Sequence, residues 1–89
     1  MSRQAFKHVL AVTEAPQKIT LRGAEARIAH FAVGLQGFNV WTEEEPESPV
    51  EQTRTVVIAR SSRNIPEGFV HLRTVLGCPE VWHLYEDVS

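Results

Sequence analysis

Eighty-nine residues, 43% of them hydrophobic and 22% charged, make a chain for one ordinary globular domain. A net charge of -2 leaves no basic field to draw it onto bulk DNA, RNA or an anionic membrane surface, and no apolar run approaches the ~20 residues that span a bilayer. A domain this short buries roughly 60–65% of its unfolded surface, so its core is thin and a homo-oligomer is an expected route to stability.

Turn residues punctuate period-2 patterns along the whole chain, the signature of short strands. Phe6 to Val12 reads as a first strand, closed by the stretch from Thr13 to Pro16. Lys18-Ile19-Thr20-Leu21-Arg22 alternates cleanly, with Ile19 and Leu21 on one face. After a turn at Gly23 to Glu25, Arg27 to Val33 supplies Ile28, Phe31 and Val33 as burial anchors. Ala24 to Phe31 also contains good helix formers, but Gly23 before it and its short length favour a strand. Gly34-Leu35-Gln36-Gly37 has the length and glycines of a hairpin loop, leading into Phe38 to Thr42. Trp41 on that strand reads as core.

Glu43 to Glu51 carries five acids and two prolines. Proline donates no ladder hydrogen bond and the carboxylates repel, so the segment at about 43–52 is expected to be an exposed, mobile loop. Thr53 to Arg60, rich in β-branched residues, is the plainest strand. Ile65-Pro66-Glu67-Gly68 is a turn, Phe69 to Leu76 a further strand, and Gly77-Cys78-Pro79 turns into Glu80 to Tyr85. Six or seven strands of this kind predict an all-β domain, a small antiparallel sandwich or barrel.

Little in the sequence points to catalysis. Cys78 with His71 or His83 as base would be the elements of a nucleophile, but nothing follows Cys78 that would lower its thiol pKa. His8, His30, His71 and His83 lie on separate strands without the close ligand pairs of zinc sites. No catalytic residue, metal or cofactor is expected. A lone cysteine and no secretory leader fit a reducing, cytoplasmic setting.

A binding face is the stronger expectation. Seven of the nine basic residues are Arg, the side chain suited to bidentate contact with phosphate or carboxylate. Arg54, Val56, Ile58 and Arg60 share one face of their strand. On the last strand Trp82 and Leu84 read as core, leaving His83 and Tyr85 on the other side. If the last two strands pair as a hairpin, His71 and Arg73 join them. Arg54, Arg60 and Arg73 for phosphate, with His71, His83 and Tyr85 around a base, would form a nucleotide site. The alternative is a polar outer sheet face of the kind antiparallel sheets routinely carry.

Thr53-Arg54-Thr55, Ile65-Pro66-Glu67-Gly68 and Val81-Trp82-His83-Leu84-Tyr85-Glu86, with Ala26-Arg27-Ile28 and Trp41 before an acidic loop, resemble a family of small uncharacterised proteins of tailed phages and prophages. The resemblance spans about Lys7 to Glu86. It departs at Leu76 to Pro79, where the connection is shorter than the family's usual Gly-rich one. The resemblance implies a phage-encoded accessory protein in a bacterial cytoplasm, of the sort that counters host defence by sequestering a signalling nucleotide or binding a host protein. A non-enzymatic nucleotide-binding homo-oligomer is the resulting expectation, with a virion or assembly component as the alternative.

Overall fold

The computed structural model describes residues 3–77 and 80–88. Seven strands fill it, with no helix among the described residues. They are β1 (Gln4–Leu10), β2 (Gln17–Arg22), β3 (Arg27–Val33), β4 (Phe38–Glu44), β5 (Glu51–Arg60), β6 (Phe69–Leu76) and β7 (Val81–Asp87). One sheet has the order β1-β4-β3 and the other β2-β5-β7-β6, every pair antiparallel. The sheets stay open, so the fold is a two-layer sandwich and not a barrel. Its thinnest extent of 16 Å is what two sheets about 10 Å apart produce.

Alternation explains which face of each strand turns inward. Ile19 and Leu21 of β2, Phe38, Val40 and Thr42 of β4, Val56 and Ile58 of β5 and Leu84 of β7 are buried between the layers. Leu10, Ile28 and Phe31 complete the core, and Leu72, Val75 and Trp82 pack against its margin. Phe38 links the layers, its ring 5.4 Å from Phe31 and 5.0 Å from Trp82 between centroids.

The turn chemistry follows the glycines where geometry demands them. Gly37 has φ +152°, and a Cβ there would lie 2.3 Å from the carbonyl oxygen of Leu10. Only glycine therefore lets the β3–β4 hairpin fold against the end of β1. Trp41 does not lie in the core. It pairs with Lys7 and His30 on the outer face of the three-stranded sheet, 39% exposed, with the Lys7 ammonium 5.9 Å from its ring. The inner positions of β4 belong to Phe38, Val40, Thr42 and Glu44, so position 41 must point out.

The acidic segment is ordered more tightly than its composition suggests. β4 runs through Glu44 and β5 begins at Glu51, leaving a connection of residues 45–50. Ser48 is buried there and its carbonyl accepts a hydrogen bond from the Arg22 guanidinium, which also pairs with Glu51 at 2.9 Å. The Ser48 amide donates to the Glu45 carbonyl, closing a turn around Pro46. Arg22 offsets the repulsion that would otherwise keep the segment loose.

Glu44 continues the inward alternation of β4 and is buried where β1, β2 and β4 meet. One carboxylate oxygen accepts the Arg22 backbone N–H at 2.8 Å. The other accepts the Thr42 hydroxyl and lies 2.8 Å from Nε2 of His8. Burial alone would raise its pKa, but the hydrogen bonds from Thr42, His8 and Arg22 and the charge of His8 outweigh it and hold the pKa below the ordinary carboxylate value.

Candidate functional site

The β6–β7 hairpin brings together part of the expected site and divides the rest from it. His83 and Tyr85 alternate with core-facing Trp82 and Leu84, so they stand on the outer face of the four-stranded sheet. His71 is the register partner of Tyr85. The three rings cluster, with centroid separations of 5.4 Å for His71–Tyr85, 5.7 Å for His71–His83 and 6.3 Å for His83–Tyr85.

Hydroxyl groups join this cluster. Nε2 of His71 lies 2.7 Å from the Thr74 hydroxyl, which lies 2.8 Å from Nδ1 of His83. Nε2 of His83 in turn lies 2.9 Å from the Ser61 hydroxyl, in the turn after β5. Two imidazole nitrogens thus converge on one oxygen, with a second hydroxyl at the far end. Each neutral ring has one donor and one acceptor nitrogen, and each hydroxyl can donate and accept, so the chain Ser61–His83–Thr74–His71 can be satisfied without any ionised group. Val57 and Ala59, register partners of Tyr85 and His83, are buried on this outer face. Small side chains between larger ones leave the rings as the accessible surface.

The expected arginines are elsewhere. A β-bulge between His71 and Arg73 shifts the register, so that Arg73 opposes core-facing Leu84 while Thr74 takes the place beside His83. Arg73 reaches over the edge towards the Ala29 carbonyl of the other sheet, at 3.5 Å, and does not share the face of His71. Arg54 and Arg60 do share a face with Val56 and Ile58, but it is the inner face, opposite His83 and Tyr85.

Both inner arginines are occupied. Arg54 pairs with partly buried Glu86 at 2.8 Å and also donates to the Ala26 carbonyl and the Gln52 side chain. It closes one mouth of the sandwich. Arg60 bridges Glu80 at 3.0 Å and Glu14 at 3.2 Å, with its guanidinium 5.7 Å from the Trp82 ring. The hydrogen bonds it donates to Glu80 and Glu14 raise its pKa further. An inward position with a carboxylate partner makes Arg54 a structural tie between β5 and β7, apart from the ring cluster.

Ser61, Thr74 and Glu44 were not evident from the sequence. The Thr74 signal was present in the spacing of Leu72 and Val75: two inward apolar residues three apart in a strand require an extra residue between them. Cys78 lies outside the described residues. Among the described residues no group of three or more His, Cys, Asp or Glu is placed to hold a metal ion, and no helix is long and apolar enough to cross a membrane.

A cleft of about 400 Å³ adjoins the ring cluster at the end of the four-stranded sheet, lined by Arg60, Ser61, Ser62, Arg63, Glu80 and Val81. On the other side of Arg60 lies a cavity of about 330 Å³ bounded by Val12, Glu14 and Trp82. No curated protein and no solved structure matches this chain. A family match does cover residues 1–89, and by it the chain belongs to the family described as Domain of unknown function (DUF7352).

Proposed function

We propose that this chain is a non-enzymatic binding module that takes a small planar anion, a nucleotide, against the outer face of its four-stranded sheet. The convergence of His71, His83 and Tyr85 on that face carries the reading, because grouped aromatic rings on an outer sheet face offer π-surfaces on which a base can stack. The resemblance to tailed-phage proteins supports an accessory role in which the bound nucleotide is a signal withdrawn from the host.

A flat sheet face buries only one side of such a ligand, whereas small-molecule sites commonly cover 70–90% of it. A second copy of the chain supplies the missing wall, so the working form in this reading is a homo-oligomer with the ligand at the subunit junction. The test is thermal unfolding of the protein against a panel of cyclic and linear nucleotides. A ligand at about 100 times its Kd adds roughly 2.7 kcal/mol of stability, and His83→Ala or Tyr85→Ala should abolish that gain. Absence of stabilisation by every nucleotide at millimolar concentration refutes the reading.

Open sheet edges favour a second reading, a virion or assembly component. β1 is an edge strand without a bulge, and it exposes Phe6 and Val9, a surface suited to strand addition by a neighbour. Stoichiometric recovery of the protein in purified virions would favour this reading over nucleotide capture.

A further inference from the structure

The cleft beside the rings contains the cationic groups that the ring face lacks. Arg63 lines it with a side chain 53% exposed, and its nearest carboxylate oxygen, on Glu14, is 3.7 Å away. That separation is too long for a hydrogen bond, so the guanidinium keeps its donors. Arg60 lines the same cleft, and its Nε–H is buried without a hydrogen-bond partner. Ser61 and Ser62 add two hydroxyls. Ser62 has φ +71°, the left-handed region that a non-glycine residue occupies at a cost.

Ser61 belongs to both places: it lines the cleft, and its hydroxyl lies 2.9 Å from His83. The cleft and the ring cluster are therefore contiguous, with one side chain as their shared wall. We propose that the turn Ser61–Ser62–Arg63 is the phosphate subsite of this face, taking the phosphoryl group of a ligand whose base lies on His83 and Tyr85. A guanidinium and two hydroxyls are the donor set that oxyanions select. Arg60 is held by Glu80 at 3.0 Å and Glu14 at 3.2 Å, whereas Arg63 meets Glu14 only at 3.7 Å and is the more exposed of the two arginines, so Arg63 is the cation of the cleft most free to turn to an anion. The roles foreseen for Arg54 and Arg73 pass to this turn. The inference rests on the nucleotide reading for the base, but the phosphate half can be tested separately.

The experiment is a heteronuclear NMR titration of the full chain at constant ionic strength with inorganic pyrophosphate, a nucleoside, and the matching nucleoside diphosphate, repeated on Arg63→Gln, Arg63→Lys and His83→Ala. Pyrophosphate and the diphosphate should shift the amides of residues 61–63. Arg63→Gln should weaken both at least tenfold and leave the nucleoside unaffected, with Arg63→Lys recovering part of the loss. His83→Ala should weaken the nucleoside and the diphosphate but not pyrophosphate. If pyrophosphate binds at the turn while the nucleoside binds nowhere, the phosphate subsite stands and the nucleotide reading falls. Equal affinities of Arg63→Gln and the wild-type chain for the diphosphate, or no shift at residues 61–63 with either phosphate compound, overturns the subsite. Arg63 is exposed, so a change in its melting curve is not expected and would be seen directly.

Discussion

Replacing Glu44 by Ala tests the most concentrated set of interactions in the sandwich. The carboxylate accepts from the Arg22 N–H, the Thr42 hydroxyl and His8. Thr42 is fully buried and Glu44 is 7% exposed, so removing the acceptor leaves buried donors with little water to replace it. Each stranded donor costs about 1–3 kcal/mol, and two of them with the loss of the His8 contact give roughly 3–5 kcal/mol. Against a total of about 5–10 kcal/mol for a domain of this size, that is half the stability. The melting temperature should fall by about 20 °C.

Urea titration monitored by tryptophan fluorescence measures this loss as a lower midpoint at unchanged slope. A loss below about 1 kcal/mol would refute the reasoning, since the donors would then have found other partners. The same carboxylate gives a pH dependence. Its folded pKa lies below its unfolded value, so its contribution is complete above the ordinary carboxylate range and drains away as pH falls through the folded pKa. Glu44→Gln cannot titrate, so its stability should change less than that of the wild type between neutral pH and pH values below the carboxylate range.

Other outcomes follow from the same geometry. Arg54→Ala should cost about 3 kcal/mol, because it leaves Glu86 partly buried without its cation, and the double variant with Glu86→Ala should cost less than the sum of the two singles in a denaturation cycle. Trp41→Ala should change stability by less than about 1 kcal/mol, while Trp82→Ala costs about 3 kcal/mol. Acrylamide should quench a chain with only Trp41 more strongly than one with only Trp82, as their positions require. Gly37→Ala should destabilise by more than about 1 kcal/mol, since it meets the Leu10 carbonyl in a conformation L residues avoid. Chemical denaturation that shows no loss would mean the hairpin can move away from β1.

The strand pattern was legible because alternation is local. β3 and β6 have the bounds the turn residues imply, and the other strands differ by one or two residues at one or both ends. The extension of β4 into Glu43 and Glu44 was obscured by composition, since an acidic run reads as loop. The inward register of Phe38, Val40, Thr42 and Glu44 continues regardless. Both bulges left the same trace, a pair of inward apolar residues three apart: Ile28 and Phe31 in β3, Leu72 and Val75 in β6. A strict period of two misplaces everything beyond such a point, as it did Arg73.

By itself the sequence determined that the chain is all-β, that Thr53 to Arg60 and the aromatic segment at Val81 to Tyr85 are strands, and that His83 and Tyr85 turn away from Leu84. Those facts depend only on the chain's alternation and its breakers. The tertiary structure decided which face of β5 is inner, and so gave Arg54 and Arg60 to Glu86, Glu80 and Glu14 instead of to an open surface. It also decided that Thr74 and Ser61 stand beside the histidines and that Trp41 points outward. Each of these depends on strand order and register between segments far apart in sequence, which alternation within a strand does not encode.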